Sequence, residues 1–290
     1  MAKRKVEIVV LSDLHLGTYG CRAFEIVRYL KSIKPEMLIL NGDIIDIWQF
    51  SKRFWPRAHM QVIKELVKFS AKGVPVYYLT GNHDELLRKF SDASLGNFHL
   101  LDQLELEIDG KKAWIFHGDV FDASIQHAKW LAKLGGLSYD FLIMINNLVN
   151  GLLVRLGRQK MSFSKSIKNG VKQAVKYIGD FENTAAERAA KRGFDYVICG
   201  HIHQPQIRSW VGEQGSLLYL NGGDWIENLT ALEYRKGEWS LFSYEEAFGK
   251  ESKKERKAAE VELMEAEQPK RGTEIIEKES LQVSLLTFTS

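Results

Sequence analysis

The chain has 290 residues, 45% of them hydrophobic and 27% charged, with a net charge of +3. That length can bury a substantial core in one large domain or two small ones, and so small a charge excess gives no reason to expect a nucleic-acid partner. Two cysteines, Cys21 and Cys199, exclude a disulfide framework and form no C-x-x-C metal pattern, so a reduced, cytoplasmic setting is expected.

The N-terminus is basic and then briefly apolar before Ser12 and Asp13, with no small-residue cleavage site. It reads as a first strand over 7–11 and not as a signal peptide. Apolar residues at helical spacing follow over 21–33, then a second strand over 37–41. A second helix is expected over 57–73, ending at Gly73, and a third strand over 74–80. This alternation predicts an α/β sandwich with parallel strands. LELEI, Asp109-Gly110 and KKAWIF read as a hairpin with a tight turn. A helix over about 182–192, closed by Gly193, precedes a buried strand over 195–200. Three strand-like runs close the domain, over 207–211, 216–220 and 230–244, the last with a Lys236-Gly237 turn.

Two stretches depart from this alternation. Residues 121–180 read as a mostly helical insertion, a cap rich in Leu, Ile and aromatics. Lys133, Asp140, Asn146, Asn147, Asn150 and Arg155 interrupt it, so it is not a membrane span. Packing on the core is the plain reading; an apolar groove for a ligand or membrane surface is the sharper one. Arg155, Arg158, Lys160, Lys165, Lys168, Lys172 and Lys176 follow with no acidic residue among them, which suits phosphate groups or an anionic membrane surface. The domain is expected over 1–248. Residues 249–290 form a charged C-terminal extension, read as a solvated helix or disordered segment.

The chemistry lies in five short clusters placed after strands: SDLHLG (12–17), NGDIID (41–46), GNHDE (81–85), HGDVFD (117–122) and GHIHQP (200–205). Loops after parallel strands are where an α/β sheet builds its site. Asp13 and His15 are one residue apart, so an extended chain turns both to one side, and His201 and His203 share that spacing. Asp43 can bridge two cations with its two oxygens. Asn82 offers a neutral amide oxygen, and His117 ends its strand. Four imidazoles, two carboxylates and an amide are too many ligands for one tetrahedral zinc, but they suit two cations sharing a carboxylate. The nitrogen and oxygen donors favour Mn²⁺, Fe²⁺ or Zn²⁺. Two cations roughly 3.5–4 Å apart can clamp a phosphoryl group and hold hydroxide for in-line attack.

In these motifs, D-x-H, G-D-x-x-D, G-N-H-D, an isolated His and G-H-x-H, the chain resembles the calcineurin-like metallophosphoesterases over residues 6–245. The resemblance implies a four-layer αββα sandwich. It also implies one ion held by Asp13, His15, Asp43 and His203, and a second held by Asp43, Asn82, His117 and His201. Within that family the insertion and the closing LNGGDWIENLTALEY look most like the UDP-2,3-diacylglucosamine pyrophosphatases of lipid A synthesis. That likeness implies hydrolysis of a nucleotide-diphospho-lipid to UMP and a lipid phosphate, two Mn²⁺ ions, and peripheral work at the inner membrane. The best-known of those enzymes read G-N-R-D where this chain has His83. The difference leaves open a broader action on phosphomonoesters, cyclic nucleotides or other nucleotide diphosphates. A non-catalytic interaction module is a further reading, opposed by the complete ligand set.

His83 completes neither ligand set, so it is expected to stabilise the phosphoryl oxygens or protonate the leaving oxygen, with Asp84 holding its orientation. Asp46, Asp119 and Asp122 are candidates to hold ligand histidines, and Trp48, Phe50, Phe54 and Trp55 to rim the site. Asn221 and Asp224 are candidates to orient His201 or His203. Oligomeric state is left open.

Overall fold

The computed structural model describes residues 3–48, 54–121 and 163–249, with side chains in the helix at 163–191 described from residue 175. Most of the insertion at 121–180, with Asp122 and Phe50, and the extension from 250 to 290 lie outside the described residues.

Among the described residues, twelve strands form two sheets. The first runs, in spatial order, β12 (Glu238–Ser243), β11 (Thr230–Arg235), β1 (Arg4–Leu11), β2 (Ile33–Asn41), β3 (Val76–Leu79), β5 (Phe98–Leu101) and β4 (Ala93–Leu95). The second runs β6 (Gln103–Ile108), β7 (Lys111–Phe116), β8 (Tyr196–Cys199), β10 (Gly215–Asn221) and β9 (Gln206–Gly212). In the first sheet β1, β2, β3 and β5 are parallel; in the second β7, β8 and β10 are. The strands that precede the motifs therefore run parallel to one another within each sheet, which brings the motif loops of each sheet to one edge.

The two sheets face each other through alternate residues of their strands. Ile8, Val10, Ile39 and Leu79 from the first sheet share one buried cluster with Ile115, Tyr196, Ile198 and Leu220 from the second. On the far side of the second sheet, Trp114, Phe116, Val197 and Tyr219 pack on Phe181, Ala185, Ala186 and Ala189 of α3 (Phe163–Lys191). The small alanines let this helix approach closely, and Gly193 ends it at φ 74°. Helices α1 (Ala23–Ser32) and α2 (Arg57–Ala71) bury apolar stripes that include Phe24, Ile26, Val27 and Leu30, and Val62, Leu66 and Phe69. A short α4 (Tyr244–Phe248) follows β12. The α/β sandwich expected from the sequence is the observed fold.

The fold differs from the sequence expectation in three places. Strand β2 starts at Ile33, not 37; Pro35 is tolerated because pairing with β3 begins only at Leu38. Helix α3 runs unbroken over Phe163–Lys191, so the helix read over 182–192 is continuous with the end of the stretch read as a mostly helical insertion. The hairpin of β4 and β5 went unread, because β4 is exposed throughout and shows no alternation. Both tight turns hold: Asp109-Gly110 has φ values of 48° and 77°, and Lys236-Gly237 of 52° and 84°.

Candidate metal centre

The five clusters meet where the two sheets face each other. Asp13 and His15 follow β1, Asp43 follows β2, and Asn82 follows β3. From the second sheet, His117 follows β7, and His201 and His203 follow β8. The first two loops are zipped together by backbone bonds: Asp13 N–H donates to Gly42 O (3.1 Å), His15 N–H to Asp43 O (2.9 Å) and Leu16 N–H to Ile44 O (2.9 Å). Across the sheets, His201 N–H donates to Asp13 Oδ2 at 3.2 Å; within the second sheet, Gly200 N–H donates to His117 O at 2.9 Å.

Three groups of side chains come close enough to share a cation: Asp13, His15 and His203; Asp43, His117 and His201; and His15, Asp43 and His83. Asp13 Oδ1 lies 3.1 Å from His203 Nε2, and Asp43 Oδ2 lies 3.2 Å from His117 Nε2. His15 Nε2 stands 4.0 Å from both carboxylates, so it lies between the first two groups. His83 Nε2 is also 4.0 Å from Asp43 Oδ2, so geometry alone does not separate His83 from the ligands.

Close approach explains two of the motif glycines. A Cβ on Gly81 would overlap Asp43 Oδ1, and one on Gly42 would overlap the His117 ring. The backbones of these candidate ligands are strained. Asp13, His15, Asp43, His201 and His203 all have positive φ, between 50° and 68°. Such conformations are uncommon outside glycine and gather at functional sites.

The residues fit divalent cations on two observations. Asp13 Oδ1, His15 Nε2, Asn82 Oδ1 and His117 Nε2 are buried and make no hydrogen bond, an expensive arrangement unless something else satisfies them. The electrostatics point the same way. Burial opposes charge on Asp13, yet His203 and His117 hold its carboxyl below the usual range. Burial likewise opposes charge on Asp43, which His117 and His15 also hold below the usual range. In return, against the effect of burial, Asp43 and Asp13 push His117 well above its ordinary value, and Asp13 pushes His203 up to about 9. A field that keeps protons on these imidazoles is one that would hold cations in their place.

Access is one-sided. The His83 and His203 side chains are 24% and 38% exposed, whereas those of Asp13, His15, Asp43 and His117 are at most 6%. Substrate therefore approaches past His83 and His203. Trp48, itself exposed, places its ring 4.8 Å from that of His83, so it rims the site as the sequence suggests. Phe54 and Trp55 instead pack on His59, whose Nδ1 accepts the Gly17 N–H at 2.9 Å.

One expectation is corrected. Asp84 does not orient His83. Its carboxylate is turned beneath the loop, where it accepts from Ile44 N–H (3.0 Å), Tyr78 O–H (2.6 Å) and Gly81 N–H (2.5 Å). Adjacent residues in a turn point apart, and Asp84 went inward, fully buried. The partner of His83 is Asp46, with Oδ2 at 2.9 Å from Nδ1 and 3.6 Å from His15 Nδ1. Burial works against a charged His83, but Asp46 and Asp43 raise its pKa above the ordinary value. Asp119 accepts a hydrogen bond from Arg88 at 2.7 Å, and its charge adds to the upward push on His117. Asn221 donates to Gly200 O at 2.9 Å, steadying the loop that bears His201. Asp224 lies 3.8 Å from His203 Nδ1, and Asn228, which the sequence reading missed, donates to His203 O at 2.9 Å.

Two substitutions separate these roles. Asp46→Asn should lower turnover about 10- to 100-fold, the range for partners that orient a site histidine, with little change in melting temperature. Asp84→Asn should instead destabilise the fold by about 1–3 kcal/mol, because it disturbs a buried acceptor of several hydrogen bonds. Thermal unfolding and steady-state kinetics on both variants make the check.

The donors, the burial and the parallel-strand edge define a metal-dependent phosphoester hydrolase. The chain belongs to the calcineurin-like phosphoesterase family, whose model matches residues 6–205. It is similar to the UDP-2,3-diacylglucosamine hydrolase of Aliivibrio fischeri (strain MJ11), 27% identical over 82% of this chain and 98% of that one. The enzyme of the same name from Stenotrophomonas maltophilia (strain K279a) is 25% identical over 80% and 96%. Among solved structures, the Escherichia coli phosphoesterase Yfce matches with a TM-score of 0.41, at 14% identity over 82% of this chain and 93% of that one. No helix among the described residues is long and apolar enough to cross a membrane.

Proposed function

We propose that the protein hydrolyses the pyrophosphate bond of UDP-2,3-diacylglucosamine, or of a closely similar nucleotide-diphospho-lipid, to UMP and a lipid phosphate. The observation that carries this reading is the near full-length likeness to hydrolases of that name, 98% of the Aliivibrio enzyme being spanned. Asp13, His15, Asp43 and His203 would hold one ion, and Asp43, Asn82, His117 and His201 the other, with Mn²⁺ the expected metal. Bound there, divalent cations supply polarisation of a phosphoryl oxygen and lower the pKa of water.

The chain's own groups do the rest. Asp43 stands between both ligand sets and fixes their separation. His83 sits at the open side, where its Nε2 is free to meet a phosphoryl or leaving oxygen, while Asp46 holds its Nδ1. Water adds to phosphorus, the bond to the bridging oxygen breaks, and His83 gives that oxygen a proton or shares its charge. The lipidic part of such a substrate would place the protein peripherally at an anionic membrane surface, with the 121–180 segment as its cap.

His83 in place of the arginine of the G-N-R-D form favours a second reading, a broader phosphoesterase on monoesters, cyclic nucleotides or other nucleotide diphosphates. The purified protein with Mn²⁺ should release UMP from UDP-2,3-diacylglucosamine at least about tenfold more efficiently than it hydrolyses aryl phosphates or free nucleotide diphosphates, a gap of roughly 1.4 kcal/mol in barrier. Equal or better turnover of the small substrates would replace the first reading by the second.

A further inference from the structure

Asn82 and His117 are assigned to one cation, yet they come from different sheets, and the two sheets face each other through apolar side chains that carry little directional information. One guanidinium spans the gap between their loops. Arg88 lies in the 3₁₀ turn Glu85–Phe90, directly after the Asn82 loop. Its NH2 donates to Asp119 Oδ2 at 2.7 Å, two residues beyond His117. Its Nε donates to Thr80 Oγ1 at 3.2 Å, two residues before Asn82. The Thr80 hydroxyl passes the connection on to Asp102 Oδ1 at 2.6 Å. Thr80 is buried and the Asp119 side chain is 10% exposed, so this is not a freely solvated surface pair.

We propose that Arg88 is a positioning residue for the second cation, clamping the loop of Asn82 against the loop of His117. The proposal rests on the ligand assignment given under the proposed function. Arginine suits the task because its rigid fork reaches two acceptors in fixed directions, which a lysine ammonium on a flexible stem does not reproduce. The clamp is selective. The ligands peculiar to the first ion have other supports: Trp225 N–H donates to Asp13 O, Asp46 stands against His15, and Asn228 holds the backbone of His203. None of these touches Arg88. Loosening it should therefore widen one site and leave the other intact.

The test is Mn²⁺ titration of the full chain after chelator treatment, with bound metal counted by elemental analysis and followed by electron paramagnetic resonance. Arg88→Ala should keep one ion at parent affinity and weaken the other about 10- to 100-fold, the range seen when a group orienting a ligand is removed. At limiting Mn²⁺ the spectrum should change from a coupled pair to an isolated ion, and excess Mn²⁺ should restore most of kcat. Arg88→Lys should recover only part of the affinity. Asp119→Asn cuts the same clamp from the other end and keeps the test available where Arg88→Ala folds poorly. The double variant should be no worse than the weaker single one, since both remove one interaction. Two ions at parent affinity in both single variants, or loss of both ions together, overturns the proposal. An Asn82→Ala control separates the levels. If it loses the second ion while Arg88→Ala does not, the clamp alone is wrong. If neither loses it, the ligand assignment fails and the clamp with it.

Discussion

Asp43→Ala should bind neither cation at concentrations that saturate the parent, and should lose about 10³-fold or more in kcat/KM. Cation polarisation is worth several kcal/mol, and each 1.36 kcal/mol is a factor of ten, so loss of both ions sets that order. The reason lies in where the carboxylate stands. Its Oδ2 is 3.2 Å from His117 Nε2 and 4.0 Å from His15 Nε2, so it faces both ligand groups. Its Oδ1 accepts the His83 N–H at 2.8 Å, so the same side chain also positions the loop of His83. Removing it takes away the carboxylate beside His117 and leaves that imidazole without its nearest negative partner. Asp43 sits at φ 53°, where alanine is strained, so Asp43→Asn is the companion variant that tolerates this backbone. Elemental analysis after desalting, beside steady-state kinetics, checks the result. Two tightly held ions in Asp43→Asn would remove the bridging role.

His83→Ala should behave in the opposite way, keeping both ions and losing about 10²- to 10⁴-fold in kcat, the range for a positioned proton donor. The loss should be steepest for substrates with poor leaving groups, which most need a proton on the departing oxygen. The critical feature is the metal content. His83 Nε2 is as far from Asp43 Oδ2 as His15 Nε2 is, 4.0 Å in both cases. A ligand role would therefore show as lost metal, whereas a role on the phosphate would leave the metal untouched. Plotting rate against leaving-group pKa for parent and variant adds a second readout. A steeper slope in the variant supports proton donation. An unchanged slope with a uniform fall supports charge stabilisation on the phosphoryl oxygens.

Most of the site was legible in the sequence, for a physical reason. Each ligand lies within a few residues of a strand end, and parallel strands bring their ends to one edge, so order along the chain becomes proximity in space. Asp13 with His15, and His201 with His203, were paired by spacing, although the chain there is not extended as that reading supposed: all four residues have positive φ. What spacing could not supply was direction within a turn. Asp84 stands next to His83 in sequence but points beneath the loop, while the actual partner, Asp46, arrives from the end of another strand. Arg88 is invisible for the same reason, since its contacts to Thr80 and Asp119 depend on how a 3₁₀ turn folds back. In the fold, the missed element was the exposed β4, which shows no alternation.

The positive φ angles of Asp13, His15, Asp43, His201 and His203 put stability and activity in conflict at the same five positions. Each such residue costs on the order of 1–2 kcal/mol relative to a relaxed backbone, and the folded state of a domain is worth only about 5–15 kcal/mol in all. A designer seeking a tougher protein by backbone comfort alone would place glycine or asparagine at these positions first. Those substitutions would relieve the chain and disarm it together. Thermal hardening of this molecule must come from the helices and the sheet interface, leaving its least comfortable residues alone.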